Sequence, residues 1–196
     1  MHIYLIRHAE TTGDVENRYG GDYDDHLSER GRTQVRELAL KLRGRNIQMV
    51  FHSPRFRAFE TAQSVSEAIE APLMMVDDIR ERNAYGVLTG MVKSEAAEEF
   101  PVEVEELAQN PIYHNLPESE SYDDFKQRVV PALNGIMDSS GFDAIAIITH
   151  GGPINCFVRE VLGKELEMVG DCAILELERV DGVIRLVSLD NAALQQ

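Results

Sequence analysis

The sequence predicts an α/β fold: a three-layer α/β/α sandwich with a mainly parallel sheet, helices on both faces and a C-terminal antiparallel hairpin. Three observations predict it. The apolar runs IYLI (3–6) and IAIIT (145–149) are continuous rather than alternating, as expected of parallel strands buried on both faces. Segments with apolar residues at helical spacing separate the runs, which is the rhythm of a parallel sheet covered on both sides. Two alternating segments, AILELERV and VIRLVSL, flank Asp181-Gly182 near the end and read as a hairpin.

Each element follows from local signals. After the strand at 3–6, Ser28 caps a helix from Glu29 to Arg43, and Gly44 stops it. QMVFHS (48–53) reads as a second strand, Phe56 to Ile69 as a helix, and PLMMV (72–76) as a shorter strand. The stretch 82–120 fits the rhythm less well and is broken by prolines. It is expected to be an excursion over one end of the sheet, a lid or specificity region. Tyr122 to Met137 reads as a helix with a kink expected at Pro131. After the strand at 145–149, Gly151-Gly152-Pro153 leads into a helix at 154–162 that stops at Gly163.

Length and composition bound the rest. One domain, 1–196, is expected, large enough for a proper core. With 43% hydrophobic and 27% charged residues, the chain reads as ordinary globular protein. The formal net charge of −15 argues against a nucleic-acid surface, which needs clustered Lys and Arg. No apolar run is long enough to span a membrane, and a strand rather than an export signal starts at His2. The expectation is a cytoplasmic protein with Cys156 and Cys172 as free, small apolar residues. An anionic ligand needs a local basic site to overcome the global field.

Such a site is available. LIRHAE, FHSPRFRAFETA and IITHGGPI stand at the carboxyl ends of three buried strands, where open α/β sheets bind ligands and helix N-termini point free N–H groups. They deliver Arg7, His8, Arg57 and His150 to one rim. Two arginines and two histidines make an anion site, and phosphate suits arginine's planar fork. A metal site would want carboxylates or cysteines at ligand spacing, which the motifs lack, and the arginines would repel a cation. No metal and no cofactor are expected.

These motifs, in this order, resemble the histidine phosphatase superfamily, which includes cofactor-dependent phosphoglycerate mutases and many phosphomonoesterases. The resemblance spans nearly the whole chain. It runs from Arg7-His8-Ala9-Glu10-Thr11, through Leu27-Ser28-Glu29-Arg30-Gly31 with Gln34, to Ser53-Pro54, Arg57-Ala58 and Thr61-Ala62. It continues through Glu81, Tyr85-Gly86 with Gly90, and Glu120-Ser121 with Arg128-Val129, to Thr149-His150-Gly151-Gly152. The resemblance implies that His8 is a nucleophile that accepts the phosphoryl group on one ring nitrogen while the other is fixed by a hydrogen bond. It implies that Arg7, Arg57 and His150 clamp the phosphoryl oxygens, and that Glu81 protonates the leaving oxygen and then assists water. Gly151, Gly21, Asn17, Asp14, Tyr85 and Lys93 complete the expected phosphate- and substrate-binding set.

The chain departs from the family pattern in places. Ala9 and Ser119 replace glycines. Asp14 stands where an asparagine commonly donates to phosphate, and Asn17 or the Gly20-Gly21 backbone is the expected substitute. Asn83-Ala84 lengthens by one residue the step from Glu81 to Tyr85-Gly86. The expected function is metal-independent hydrolysis of a small phosphorylated metabolite. A phosphoglycerate mutase is one alternative, suggested by YGVLTG with Lys93. Against it stand the short chain and the acidic PVEVEE (101–106), where mutases carry basic residues. A non-catalytic phosphate-binding protein is the other alternative. Neither nucleic acid nor membrane is expected as a partner, and a homodimer is left open.

Overall fold

The computed structural model describes residues 1–139 and 141–195. Strand β1 (His2–Arg7) is followed by a single helical turn, α1 (Thr12–Val15), and by α2 (Glu29–Leu42), which Ser28 caps through its Oγ and the Gly31 N–H. Next come β2 (Met49–His52), α3 (Phe56–Ile69) and the short β3 (Leu73–Met75). The excursion over 82–120 holds a 3-10 turn at Gly86–Leu88, α4 (Lys93–Glu99) and α5 (Pro101–Gln109). Helix α6 (Tyr122–Ser139) continues across Pro131 and leads to β4 (Ala144–Thr149) and α7 (Gly151–Leu162). Strands β5 (Leu166–Val180) and β6 (Val183–Leu194) end the fold.

The sheet order is β3-β2-β4-β1-β5-β6, with β3, β2, β4 and β1 parallel and β5 and β6 antiparallel. Side chains on β1 and β4 alternate between two cores, as the pleat requires. Ile3, Leu5, Ile145 and Ile147 face Phe125, Val129 and Phe157 of α6 and α7. Tyr4, Ile6, Ala146 and Ile148 face Val35, Leu38 and Val65 of α2 and α3. These are the three layers the sequence predicts. A third, smaller cluster of Tyr19, Leu88, Ala96 and Leu116 holds the excursion together.

Two predicted boundaries shift. Helix α7 starts at Gly151 rather than Ile154, because His150 takes the N-cap position in extended backbone and proline is tolerated in a first turn. The hairpin strands are also longer than the alternating segments. The Asp181-Gly182 turn has positive φ at both residues, 50° and 79°, as a two-residue hairpin turn requires. Register shifts between Val169 and Ile174 interrupt the alternation, which hides the first half of β5 from a periodicity reading.

Candidate active site

Strands β1 and β4 pair residue by residue from His2↔Ala144 to Arg7↔Thr149. The chain therefore leaves both strands at one level, and His8 and His150 are the first residues beyond it. The His8 N–H donates to the Thr149 carbonyl at 3.0 Å, and the two imidazole centroids lie 5.0 Å apart. His8 Nδ1 lies 2.7 Å from the Ala9 carbonyl oxygen, which can only accept, so Nδ1 carries the proton and Nε2 a lone pair. Arg57 Nε donates to that Nε2 and to His150 Nδ1, each at 3.2 Å. His150 then carries its proton on Nε2, which meets Ser53 Oγ at 2.7 Å. Burial, reinforced by the guanidiniums of Arg57 and Arg7, holds His8 well below the usual imidazole pKa. Burial, then Arg57 and His8, do the same for His150. Both rings are therefore neutral at neutral pH.

Arg57 sits in the first turn of α3 and is buried. Its Nη1 donates to the Tyr23 carbonyl at 2.5 Å and to Asp25 Oδ1 at 3.0 Å, and Nη2 donates to the Gly21 carbonyl at 2.8 Å. Asp25 is also buried, and its second oxygen accepts from the Gly13 N–H. Such a pair is sound only because its remaining hydrogen-bonding capacity is met. Thr61 Oγ1 ties α3 to the loop after β1 by donating to the Arg57 carbonyl and accepting from the Ala9 N–H. Arg7 Nη1 donates to the Val169 carbonyl at 2.7 Å, and Nη2 lies 3.5 Å from Asp171. The irregular stretch of β5 thus supplies the contacts that aim Arg7.

Glu81 reaches the same rim from a loop fixed on three sides. Thr149 Oγ1 donates to the Ile79 carbonyl at 2.6 Å. Arg128, bidentate to Glu120, donates to the carbonyls of Asp78, Arg80 and Glu81. The carboxylate itself accepts from the Gly152 N–H at 3.0 Å and the Arg82 N–H at 2.8 Å. A Cβ on residue 152 would stand 2.0 Å from Glu81 Oε1, so this approach requires glycine. The additional residue is absorbed downstream. Asn83 bonds the Glu118 carbonyl, Gly86 N–H and Thr89 hydroxyl, and the Ala84 carbonyl meets His114 Nε2.

A cavity of about 190 Å³ lies in front of His8. Of the residues picked from the sequence, Arg7, His8, Arg57, Glu81, Gly21, Tyr85, Lys93, Gly151 and Asp14 line it. Lys93 heads α4, with its Nζ 5.7 Å from the Tyr19 ring centroid. Three of the expected residues are placed differently from the rest. His150 is fully buried and is not among the residues on that wall; it accepts from Arg57 Nε at Nδ1 and its ring lies against that of His8. Asn17 is also absent from the wall; its backbone bonds Lys93, and Arg18, anchored on the Gly90 carbonyl, lines the cavity beside it. Asp14 lines the cavity, and its Oδ2 accepts from the N–H and hydroxyl of Thr11 in a capping box; its carboxylate offers no N–H to phosphate, as the sequence indicates. The reading also missed Asp25 and Ser53. Asp25 stands in the run DYDD, where only burial separates it from Asp22 and Asp24. Ser53 heads the S-P-x-x-R-A pattern, so a signal for it was present. Among the described residues no group of three or more His, Cys, Asp or Glu could hold a metal ion.

The chain is similar to known proteins along nearly its whole length. The family model of the histidine phosphatase superfamily, branch 1, matches residues 3–192. Phosphoglycerate mutase-like protein 4 of Arabidopsis thaliana is 33% identical, over 78% of this chain and 67% of its own. Phosphoserine phosphatase 1 of Hydrogenobacter thermophilus is 27% identical, over 84% of this chain and 77% of its own. The solved structure of Bacillus stearothermophilus YhfR superposes with a TM-score of 0.85 at 25% identity, covering 94% of each chain. With its two-histidine rim and a family match running almost from end to end, the chain belongs to the histidine phosphatase superfamily, branch 1, as a phosphoric monoester hydrolase.

Proposed function

We propose that the chain hydrolyses small phosphomonoesters without a metal, through a covalent phosphohistidine on His8. One observation carries the reading. A neutral His8, its Nδ1–H held by the Ala9 carbonyl and its Nε2 left with a lone pair, lines a cavity together with Arg7, Arg57 and Glu81. A phosphomonoester carries close to two negative charges and resists direct attack, so dividing the reaction in two lowers each barrier. His8 Nε2 bonds to phosphorus as the bond to the ester oxygen breaks in line, and Glu81 gives that oxygen a proton. Arg7 and Arg57 neutralise charge on the phosphoryl oxygens, work done elsewhere by a metal ion. His150 holds Arg57 through its Nε–H. Water then attacks phosphorus, Glu81 takes its proton, and the N–P bond returns its electrons to His8.

The deciding experiment is phosphate release from a panel of small phosphoesters, including 3-phosphoglycerate, in excess EDTA, with His8→Ala alongside. Release by wild type and not by the variant is expected. Loss of release on adding EDTA would contradict the metal-free mechanism. Tyr85 and Lys93 on the cavity wall favour a second reading, phosphoglycerate mutase chemistry. In that case 3-phosphoglycerate would isomerise without releasing phosphate.

A further inference from the structure

Glu120 and Arg128 belong to the sequence motifs, but neither is among the residues on the cavity in front of His8. An arginine carries five N–H donors in one plane, and Arg128 uses all five. Nε and Nη2 grip the two carboxylate oxygens of Glu120 at 2.6 and 2.7 Å. The other Nη2 N–H donates to the Glu81 carbonyl at 3.1 Å, and Nη1 donates to the carbonyls of Asp78 and Arg80 at 2.9 and 3.0 Å.

These carbonyls lie where the sheet does not reach. Strand β3 ends at Met75, and a 3-10 turn over Asp77–Ile79 comes just before Glu81. Backbone outside a ladder needs other partners, and here side chains supply them. With Thr149 on the Ile79 carbonyl, four successive carbonyls from Asp78 to Glu81 accept from side chains. Arg128 stands on α6 beside the core residues Phe125 and Val129, and its guanidinium lies 5.0 Å from the Phe125 ring centroid. Its side chain is 12% exposed and that of Glu120 19%, so solvent screens this pair less than an ion pair on the surface. Glu120 extends the grip past Glu81. Its N–H donates to the Asn83 carbonyl at 2.8 Å, and its carbonyl accepts from Arg82 Nε at 2.9 Å. The chain on both sides of Glu81 is thereby tied, through one ion pair, to a helix packed on the sheet.

We infer that Arg128, oriented by Glu120, is a positioning residue for the general acid. It fixes the backbone from which the Glu81 carboxyl reaches the leaving oxygen, so its loss impairs proton donation rather than phosphoryl binding. The inference rests on the role proposed for Glu81. Lysine is no substitute, since it offers three donors on a point charge in place of five in a rigid plane.

The test compares benzyl phosphate, whose alkoxide needs a proton to leave, with 4-nitrophenyl phosphate, whose phenolate leaves without one. Wild type, Arg128→Lys, Glu120→Gln and Glu81→Gln are each assayed with both esters. The readout is the ratio of the two kcat/KM values, benzyl over nitrophenyl, in which the fraction of folded enzyme cancels. A misplacement on the order of 1 Å costs about 10²-fold, so Arg128→Lys is expected to lower the ratio about tenfold or more. Glu120→Gln, which keeps the fork and the side-chain shape, is expected to lower it in the same direction and by less. Glu81→Gln should lower it at least as far as Arg128→Lys, and adding Arg128→Lys to Glu81→Gln should lower it no further. Equal losses for both esters in the Arg128 and Glu120 variants, with a fallen ratio in Glu81→Gln, would overturn the inference and leave the acid in place. A further fall in the double variant would overturn it too, because Arg128 would then act on another group. An unchanged ratio in Glu81→Gln would overturn the assignment of the acid itself, and the inference with it.

Discussion

The rim that carries His8 and His150 and the excursion over 82–120 are held by different means. At the rim, two adjacent strands in fixed register, over cores that fill both faces of the sheet, set the histidines at one level. The excursion rests on a cluster of four buried residues and on bonds from Asn83 and His114 to loop carbonyls. Transfer of a phosphoryl group needs donors placed within fractions of an ångström, which a packed sheet provides. Choice among substrates can lie in a part whose stability is local. Glu81 stands between the two, clamped by Arg128 and Thr149 to the sheet side and followed directly by the excursion.

Breaking that junction should have the largest effect. In Gly152→Ala the new Cβ would fall 2.0 Å from Glu81 Oε1 and displace the carboxylate. We predict a loss of roughly 10²–10⁴-fold in kcat, the range for a general acid–base group, with thermal melting near that of wild type. Unchanged kcat would show that the Gly152 contact does not hold Glu81 in its working position.

Asp25→Asn acts on the rim itself. It leaves Arg57 buried without its counter-charge, and breaking such a pair costs about 3–5 kcal/mol. The retained side-chain shape and the carbonyls of Tyr23 and Gly21 should keep the loss near the lower figure. Denaturant unfolding measures this, and phosphate release should fall with it.

The depressed imidazoles predict how the rim responds to pH. On the proposed mechanism His8 attacks as the neutral ring, and burial and the arginines hold its pKa well below 6.5, so the acid limb of kcat/KM should also lie below pH 6.5. Stability follows with a definite sign. Below about pH 6.5 unfolded His8 and His150 take up protons that the folded rings refuse, so stability falls with falling pH. Above that value these two residues contribute no slope. Unfolding midpoints followed between about pH 7.5 and 5.5 test this, and a rise towards acid would contradict it.

The smallest effect on chemistry should come from the excursion. Leu88 is fully buried there, and Leu88→Ala should cost about 2–5 kcal/mol within that cluster. We expect faster proteolytic cutting between 82 and 120 and little change in hydrolysis of a small unfunctionalised phosphoester. An equal loss of both would mean the two regions unfold as one.

The same contrast explains what was legible in the sequence. Arg7, His8, Arg57 and His150 stand in short motifs at strand ends, so strand prediction alone brings them together. Whether a side chain meets the cavity or supports one that does depends on packing, so the sequence did not separate His150 and Asn17 from the residues on the wall, and Asp25 was missed. Asp14 was legible as a position without a donor, but its capping box with Thr11 was not. The first half of β5, which aims Arg7, was lost because a bulge erases the alternation that marks a strand. The excursion was recognised as irregular, but Arg82 carries no motif, and only burial shows it to be unusual.

The most direct test of the central claim is to quench the enzyme in alkali during turnover of a phosphoester in EDTA and map the phosphorylated residue by mass spectrometry. The account predicts a phosphoryl group on His8, absent from His8→Ala. Turnover with no phosphorylated histidine, or with the group on His150, would contradict it.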